Sequence, residues 1–199
     1  IIESAVGEGR GKYNYSPNTE NLIETNTYLV EYPNVKFLKL GEKYVDLPIE
    51  LINKVLEENQ KYIIRVLKTD PKHIEYGVVA NKKDEGDVIF RGNVQVLQGR
   101  LDDALFYWEK DLEGSKLKDL RDDLENIIFH PKIGSYKDKV FRIEKLVKKI
   151  LKDIDVKISK DSLEKSLQLI KNDKATHMVG EFASLEGIIG SYYARRERY

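Results

Sequence analysis

Gly92-Asn93-Val94-Gln95-Val96-Leu97-Gln98-Gly99-Arg100-Leu101-Asp102-Asp103-Ala104-Leu105-Phe106-Tyr107-Trp108 is the stretch at which the chain changes character. Val94, Leu97, Leu101, Ala104, Leu105 and Trp108 recur three and four residues apart, the spacing that puts apolar side chains on one helix face. Downstream the same rhythm returns over Leu117–Phe129, Asp138–Leu151, Ser162–Met178 and Leu185–Tyr193, with Gly114, Pro131, Gly134 and Gly180 between. Ser159 or Asp161 is placed to cap the third of these. Residues 92–199 therefore read as an all-helical bundle.

Upstream the period shortens. Tyr62-Ile63-Ile64-Arg65-Val66-Leu67 and Ile74–Ala80 read as strands of a hairpin around the turn Asp70-Pro71-Lys72. Val35–Leu40 reads as another strand, and Thr27 to Leu40 alternates loosely around Pro33. Gly41-Glu42-Lys43 is a turn, and Asp46 is positioned to cap a helix opening at Leu47-Pro48-Ile49-Glu50 that carries Leu51, Ile52, Val55 and Leu56. Gly7, Gly9 and Gly11 lack the following helix that a phosphate loop needs, and read as a loop or linker. The expected fold class is α+β: a small mixed unit over 1–91, then the helical unit over 92–199.

Lys+Arg and Asp+Glu number 34 each, so any attraction for nucleic acid must come from local patches rather than from net charge. The chain has no cysteine, which excludes disulfides, thiolate metal sites and cysteine nucleophiles. No apolar run approaches a membrane helix, and the chain starts at Ile1 without a signal-like segment, so it is expected to be an internal, cytoplasmic fragment of a longer protein. The high charge, the missing cysteine and the single Met point to a thermophilic source.

His73, His130 and His177 show no zinc-ligand spacing. Asp173 and His177, four apart on a helical pattern, are the one pair that would face each other as a base and its orienting acid; an ordinary surface pair has the same spacing. No Walker loop, Rossmann fingerprint, serine elbow or class II synthetase motif is present. The strongest electrostatic feature is a basic run, Lys137, Lys139, Arg142, Lys145, Lys148, Lys149 and Lys152. At 3.6 residues per turn, Lys145, Lys148, Lys149 and Lys152 share a side, opposite Val140, Ile143, Leu146, Val147 and Ile150. Such a stripe suits phosphates; it also suits plain solvation, balanced by Asp119, Asp122, Asp123 and Glu125.

Several strings go further. Gly92 to Tyr107 resembles the Gly-Asn-x-x-Val-Leu-x-Ala-Arg-Leu-x-Asp-Ala-x-Phe-Phe string of the glycyl-tRNA synthetase beta subunit family, with Asp111 matching an acid beyond it. Phe129 to Ile143 is similar to that family's Phe-Gln-x-Lys-Leu-Gly-Ser-x-x-Asp-Lys-x-x-Arg-Ile. Lys171-Asn172-Asp173 resembles Lys-Ala-Asp, and Met178 to Ala194 resembles Met-Val-x-Glu-Phe-Pro-Glu-Leu-Gln-Gly-x-Met-Gly-Arg-Tyr-Tyr-Ala. More weakly, Leu29-Val30-Glu31-Tyr32-Pro33 resembles Leu-Val-Glu-Trp-Pro, and Asn59-Gln60-Lys61-Tyr62 resembles His-Gln-Arg-Tyr. The resemblance covers roughly 22–194. Ser191, Glu186, Gly99 and Asn59 depart from the family's Arg, Gln, Ala and His.

The resemblance implies a part of glycine-tRNA ligase whose alpha subunit activates glycine with ATP and Mg, while the beta subunit binds tRNA(Gly) and assembles with alpha. It implies an amino-terminal unit like the B3/B4 domain of phenylalanyl-tRNA synthetase and a helical domain of HD type. The His-Asp dipeptide of HD hydrolases is missing, so neither catalysis nor a metal or other cofactor is expected in this segment. Editing is not expected either, because a tight glycine pocket excludes larger amino acids sterically. The tRNA-contact candidates are Arg100, Lys132, Lys139 and Arg142, extended by Lys145 and Lys149; Arg100 with Asp103 and Asp138 with Arg142 are also spaced to pair along a helix. Phe106, Tyr107, Tyr192 and Tyr193 are expected in the core. Two other readings stand beside this one: an HD-type metal-dependent phosphohydrolase using Asp173 and His177, and a purely structural segment docking the alpha subunit.

Overall fold

The computed structural model describes residues 1–154 and 157–199. It divides into two compact units, Ile1–Leu105 and Phe106–Tyr199, and the dividing point falls within one long helix.

The first unit is built on a four-stranded antiparallel sheet. α1 (Ile2–Gly7) is followed by β1 (Tyr13–Tyr15), α2 (Thr19–Leu29) and β2 (Asn34–Lys39). α3 (Ile49–Asn53) runs on into a π-helical turn over Lys54–Asn59, and β3 (Ile63–Leu67) and β4 (Ile74–Ala80) form the expected hairpin. The strand order is β1-β3-β4-β2, with Ile63 opposite Gly77 and Arg65 opposite Glu75. Asp70 closes the hairpin turn by accepting the Lys72 N–H at 3.0 Å.

Alternation along the strands gives the sheet two faces. On one, Ile63 meets Ile2, Val6, Leu22 and Ile23, with Phe37, Val35 and Val79 packed around them. The glycine-rich start is helical only as far as Gly7: Ile2 and Val6, four apart, make α1 a helix with one buried stripe, while Gly9 and Gly11 lie in the turns that follow. The other face carries Ile64, Ile74, Tyr76 and Val78, all buried. Tyr62 stacks on Tyr76 at 5.5 Å, and its hydroxyl donates to Asn93 Oδ1 at 2.7 Å, tying the sheet to α4 (Val88–Glu113). Asp46 does not cap α3. It pairs with Lys72 at 2.6 Å, and the helix starts after Pro48 without a side-chain cap.

Arg65 and Glu75 form a pair in which each side chain is 14% exposed, at 2.6 Å. The guanidinium lies 3.6 Å over the Phe37 ring, and His73 and Tyr13 also bond Glu75 Oε1. Burial raises the Glu75 carboxyl, but the hydrogen bonds from His73, Arg65 and Tyr13 outweigh it and hold the group below the usual carboxylate range. A lowered folded-state value contributes stability above the unfolded value of about 4.3, and that contribution disappears as pH falls through the folded value. Denaturant unfolding at a series of pH values should show Glu75→Gln less stable than wild type at neutral pH, the two curves converging in acid. Parallel curves would remove Glu75 from the acid sensitivity of this unit.

The second unit begins with the end of α4 and a 3₁₀ stretch, Leu117–Asn126, that buries Leu117 and Leu124. It is not all-helical. β5 (Ile128–His130) and β6 (Gly134–Ser135) form a small antiparallel hairpin where a helix was expected to run to Phe129. α5 (Tyr136–Asp153) and α6 (Lys160–Leu169) follow, α6 capped by Ser159. The helix expected to continue to Met178 stops at Leu169. Lys171 takes a left-handed φ of 66°, Asn172–Ala175 form a 3₁₀ turn, and α7 (His177–Glu181) starts afresh on a Thr176 cap. α8 (Ile188–Arg196) opens after Gly187, whose φ of 81° suits glycine. Trp108 stacks on Tyr193 at 5.2 Å over a core of Met178, Val179, Leu185 and Ile189. Of the aromatic residues expected inside, Tyr193 is buried, whereas Phe106 is 57% exposed.

Candidate nucleic-acid interface

The Lys132–Arg142 string builds one local object, the β5–β6 hairpin feeding α5. Ser135 and Asp138 form a reciprocal capping box: the Asp138 N–H donates to Ser135 Oγ at 3.2 Å, and the Ser135 N–H donates to Asp138 Oδ2 at 2.8 Å. Those bonds to the Ser135 backbone and hydroxyl hold the Asp138 carboxyl below its usual range. Gly134 has φ of 92°, and a Cβ there would stand 2.1 Å from Asp138 Oδ2, so both conformation and space demand glycine. Arg142 donates from Nη1 to the Ile133 carbonyl at 2.8 Å, bracing the helix against the hairpin. Asp138 therefore caps rather than pairing with Arg142. Lys139 lies 3.8 Å over the Phe129 ring and 5.5 Å from that of Tyr136.

Three acids on or beside α5 are already engaged. Glu144 pairs with Arg121, and Asp122 and Glu125 both pair with Lys137, at 3.0 and 2.9 Å. Lys145, Lys148, Lys149 and Lys152 are exposed on one side of the helix, and among the described residues none has a carboxylate partner. Lys145 Nζ sits 4.2 Å over Phe141, which is 55% exposed within this basic side. Lys132 is exposed at the hairpin turn; Arg100 is exposed on α4 within the first unit. The structure thus groups Lys132, Lys139, Arg142, Lys145 and Lys149 on one hairpin–helix element and leaves Arg100 in the other unit. α5 also departs from a simple two-sided helix: Val140 alone is buried, while Leu146 and Ile150 of its apolar side are 55% and 42% exposed.

The expected Asp173–His177 pair does not form, because the left-handed Lys171 and the 3₁₀ turn interrupt the helix that would have aligned them. Asp173 is buried and accepts the Gly187 N–H, while burial raises its carboxyl pKa. His177 turns to Asp111, 66 residues away, at 2.9 Å. Asp111 also accepts the backbone N–H groups of His177 and Met178 and the Tyr193 hydroxyl. Spacing offered no signal for this cluster. Glu186, which departs from the family's Gln, bridges Lys171 and Lys174 at 2.6 and 3.2 Å. Among the described residues no group of three or more His, Cys, Asp or Glu is placed to hold a metal, and no helix is long and apolar enough to cross a membrane.

The sequence pattern of the family described as "Glycyl-tRNA synthetase beta subunit" matches residues 2–199. The chain is 37% identical over 179 residues to the glycine–tRNA ligase beta subunit of Lactobacillus helveticus, covering 88% of this chain and 26% of that protein. It is 36% identical over 199 residues to the beta subunit of Natranaerobius thermophilus, covering 98% and 29%. It is also 35% identical over 183 residues to the chloroplastic/mitochondrial glycine–tRNA ligase 2 of Arabidopsis thaliana, covering 90% and 17%. The chain thus spans less than a third of the length of these curated relatives.

Proposed function

The chain belongs to the glycyl-tRNA synthetase beta subunit family, and on that premise we propose that it serves glycyl-tRNA synthesis by holding the tRNA backbone on α5. The observation that carries this reading is the row Lys145, Lys148, Lys149 and Lys152: four exposed cations without a carboxylate partner among the described residues, beside Asp122, Glu125 and Glu144, which pair with Lys137 and Arg121 instead. Unneutralised cations at helical spacing meet phosphates, and each contact releases counterions. Lys132 extends the row at the hairpin. Lys139 and Arg142 support it chiefly by fixing the hairpin to the helix. In this reading the segment is non-catalytic, the alpha subunit supplies ATP and Mg chemistry, and the assembly works on tRNA(Gly) in the cytoplasm. The helical unit is read as HD-like and the first unit as B3/B4-like on the family resemblance.

A salt series tests it. Binding of tRNA(Gly) to this chain should weaken steeply, log affinity falling against log salt with a slope of about −3 to −4 if four phosphates are engaged. A slope near zero would reject phosphate contact. A second reading, docking of the alpha subunit without RNA contact, draws on the exposed Leu146 and Ile150 of the same helix. It predicts salt-insensitive association with the alpha subunit that Leu146→Asp abolishes.

A further inference from the structure

A concave site lies within the second unit, between the end of α4 and the last turn of α8, lined by none of the lysines of the α5 row. It is a cavity of about 720 Å³, a size typical of small-molecule sites. His177 is on its wall. The imidazole Nδ1 lies 2.9 Å from Asp111 Oδ1, and Asp111, 5% exposed, is itself held by the Met178 N–H at 2.8 Å and the Tyr193 hydroxyl at 2.9 Å. A carboxylate only accepts, so Nδ1 carries a proton, and in the neutral form of the ring this leaves Nε2 as an acceptor. Half of the His177 side chain is exposed. Lys116, Arg196 and Arg198 also line the cavity, exposed and without ion-pair partners among the described residues. Leu117 and Leu120 give it an apolar side. Two further acids line it: Glu197, which accepts the Leu117 N–H at 2.9 Å, and Asp123, an acceptor suited to a ligand that also donates.

We propose that this cavity binds a phosphorylated ribonucleoside, its phosphate on Arg196, Arg198 and Lys116 and a ribose hydroxyl donating to His177 Nε2. The cations select the phosphate, the fixed tautomer selects a hydroxyl, and the leucines cover the base. No bond is made or broken; the site holds its ligand. Its source is either a free nucleotide or the phosphorylated end of an RNA. The inference does not rest on the α5 reading.

The test uses the full-length beta subunit without its alpha partner, titrated calorimetrically with AMP and with adenosine. AMP should bind saturably, one per chain, and adenosine about tenfold or more weakly, since the charged contacts are lost. His177→Asn keeps an amide donor to Asp111 but lacks Nε2, and should weaken AMP several-fold with the thermal midpoint unchanged. The double change Arg196→Ala, Arg198→Ala should weaken it about tenfold or more. A short 5′-phosphorylated RNA that displaces AMP, where its dephosphorylated form does not, assigns the site to an RNA end; no displacement assigns it to a free nucleotide. No saturable AMP binding, or AMP affinity unchanged in both variants, overturns the proposal. Charge reversal on α5 should leave AMP binding intact, so the two readings fail separately.

Discussion

Replacing Asp111 with alanine should destabilise the second unit by about 3–5 kcal/mol, because it strands four donors at once, two of them on the buried residues Met178 and Tyr193. The carboxylate receives the N–H groups of His177 and Met178, the Tyr193 hydroxyl and the His177 ring. α7 begins on those bonds, and the Trp108–Tyr193 stack is oriented by the same hydroxyl. A penalty of this size is a large part of the total stability of an ordinary domain, about 5–15 kcal/mol. The thermal midpoint of this unit should fall by more than about 10 °C. Asp111→Asn keeps one acceptor oxygen and should fall between wild type and alanine. His177→Ala removes only a half-exposed partner and should cost about 1 kcal/mol or less. If Asp111→Ala unfolds within about 1 kcal/mol of wild type, the cluster does not organise α7 and α8.

Reversing the charge of Lys145, Lys148, Lys149 and Lys152 together should lower tRNA affinity by about a hundredfold or more and flatten the salt slope by about 3–4. The stability cost should be small. All four side chains are exposed, none is in an ion pair among the described residues, and α5 is held by the Ser135–Asp138 box and by Val140. Acids near a helix C-terminus oppose its dipole by only about 0.3–1 kcal/mol each. Arg142→Ala supplies the contrast, because losing the brace to the Ile133 carbonyl should affect melting at least as much as binding. Unchanged affinity and slope in the fourfold variant, with its fold intact, would hand this face to protein docking.

Period and turn chemistry made much of the architecture legible from the sequence. The β3–β4 hairpin is visible because β-branched alternation on either side of Asp70-Pro71 is a local signal. α4 and α5 are visible because apolar spacing persists over several turns. Short elements escaped. α1 buries only Ile2 and Val6, too few to outweigh three glycines nearby, and the β5–β6 hairpin interrupts a stretch whose apolar spacing is equally helical. The break at Lys171 escaped as well, since nothing in Ser162–Met178 forbids a continuous helix. It is enforced from outside, by Asn172 donating to the Leu117 carbonyl and Asp173 receiving the Gly187 N–H.

The basic row of α5 belonged to the sequence alone, because four lysines within eight residues of a helix share a side by geometry. Only the tertiary structure decided what that row amounts to. It placed Asp122 and Glu125 on Lys137, so that two of the four acids expected to balance the row are spent elsewhere, and it turned Glu144 of the helix itself to Arg121. It likewise dissolved the Asp173–His177 pair and joined His177 to Asp111 across 66 residues. Local sequence determines which side chains share a helix face, because that depends on backbone period; which charges find one another across the fold depends on how buried polar groups are satisfied when distant segments pack.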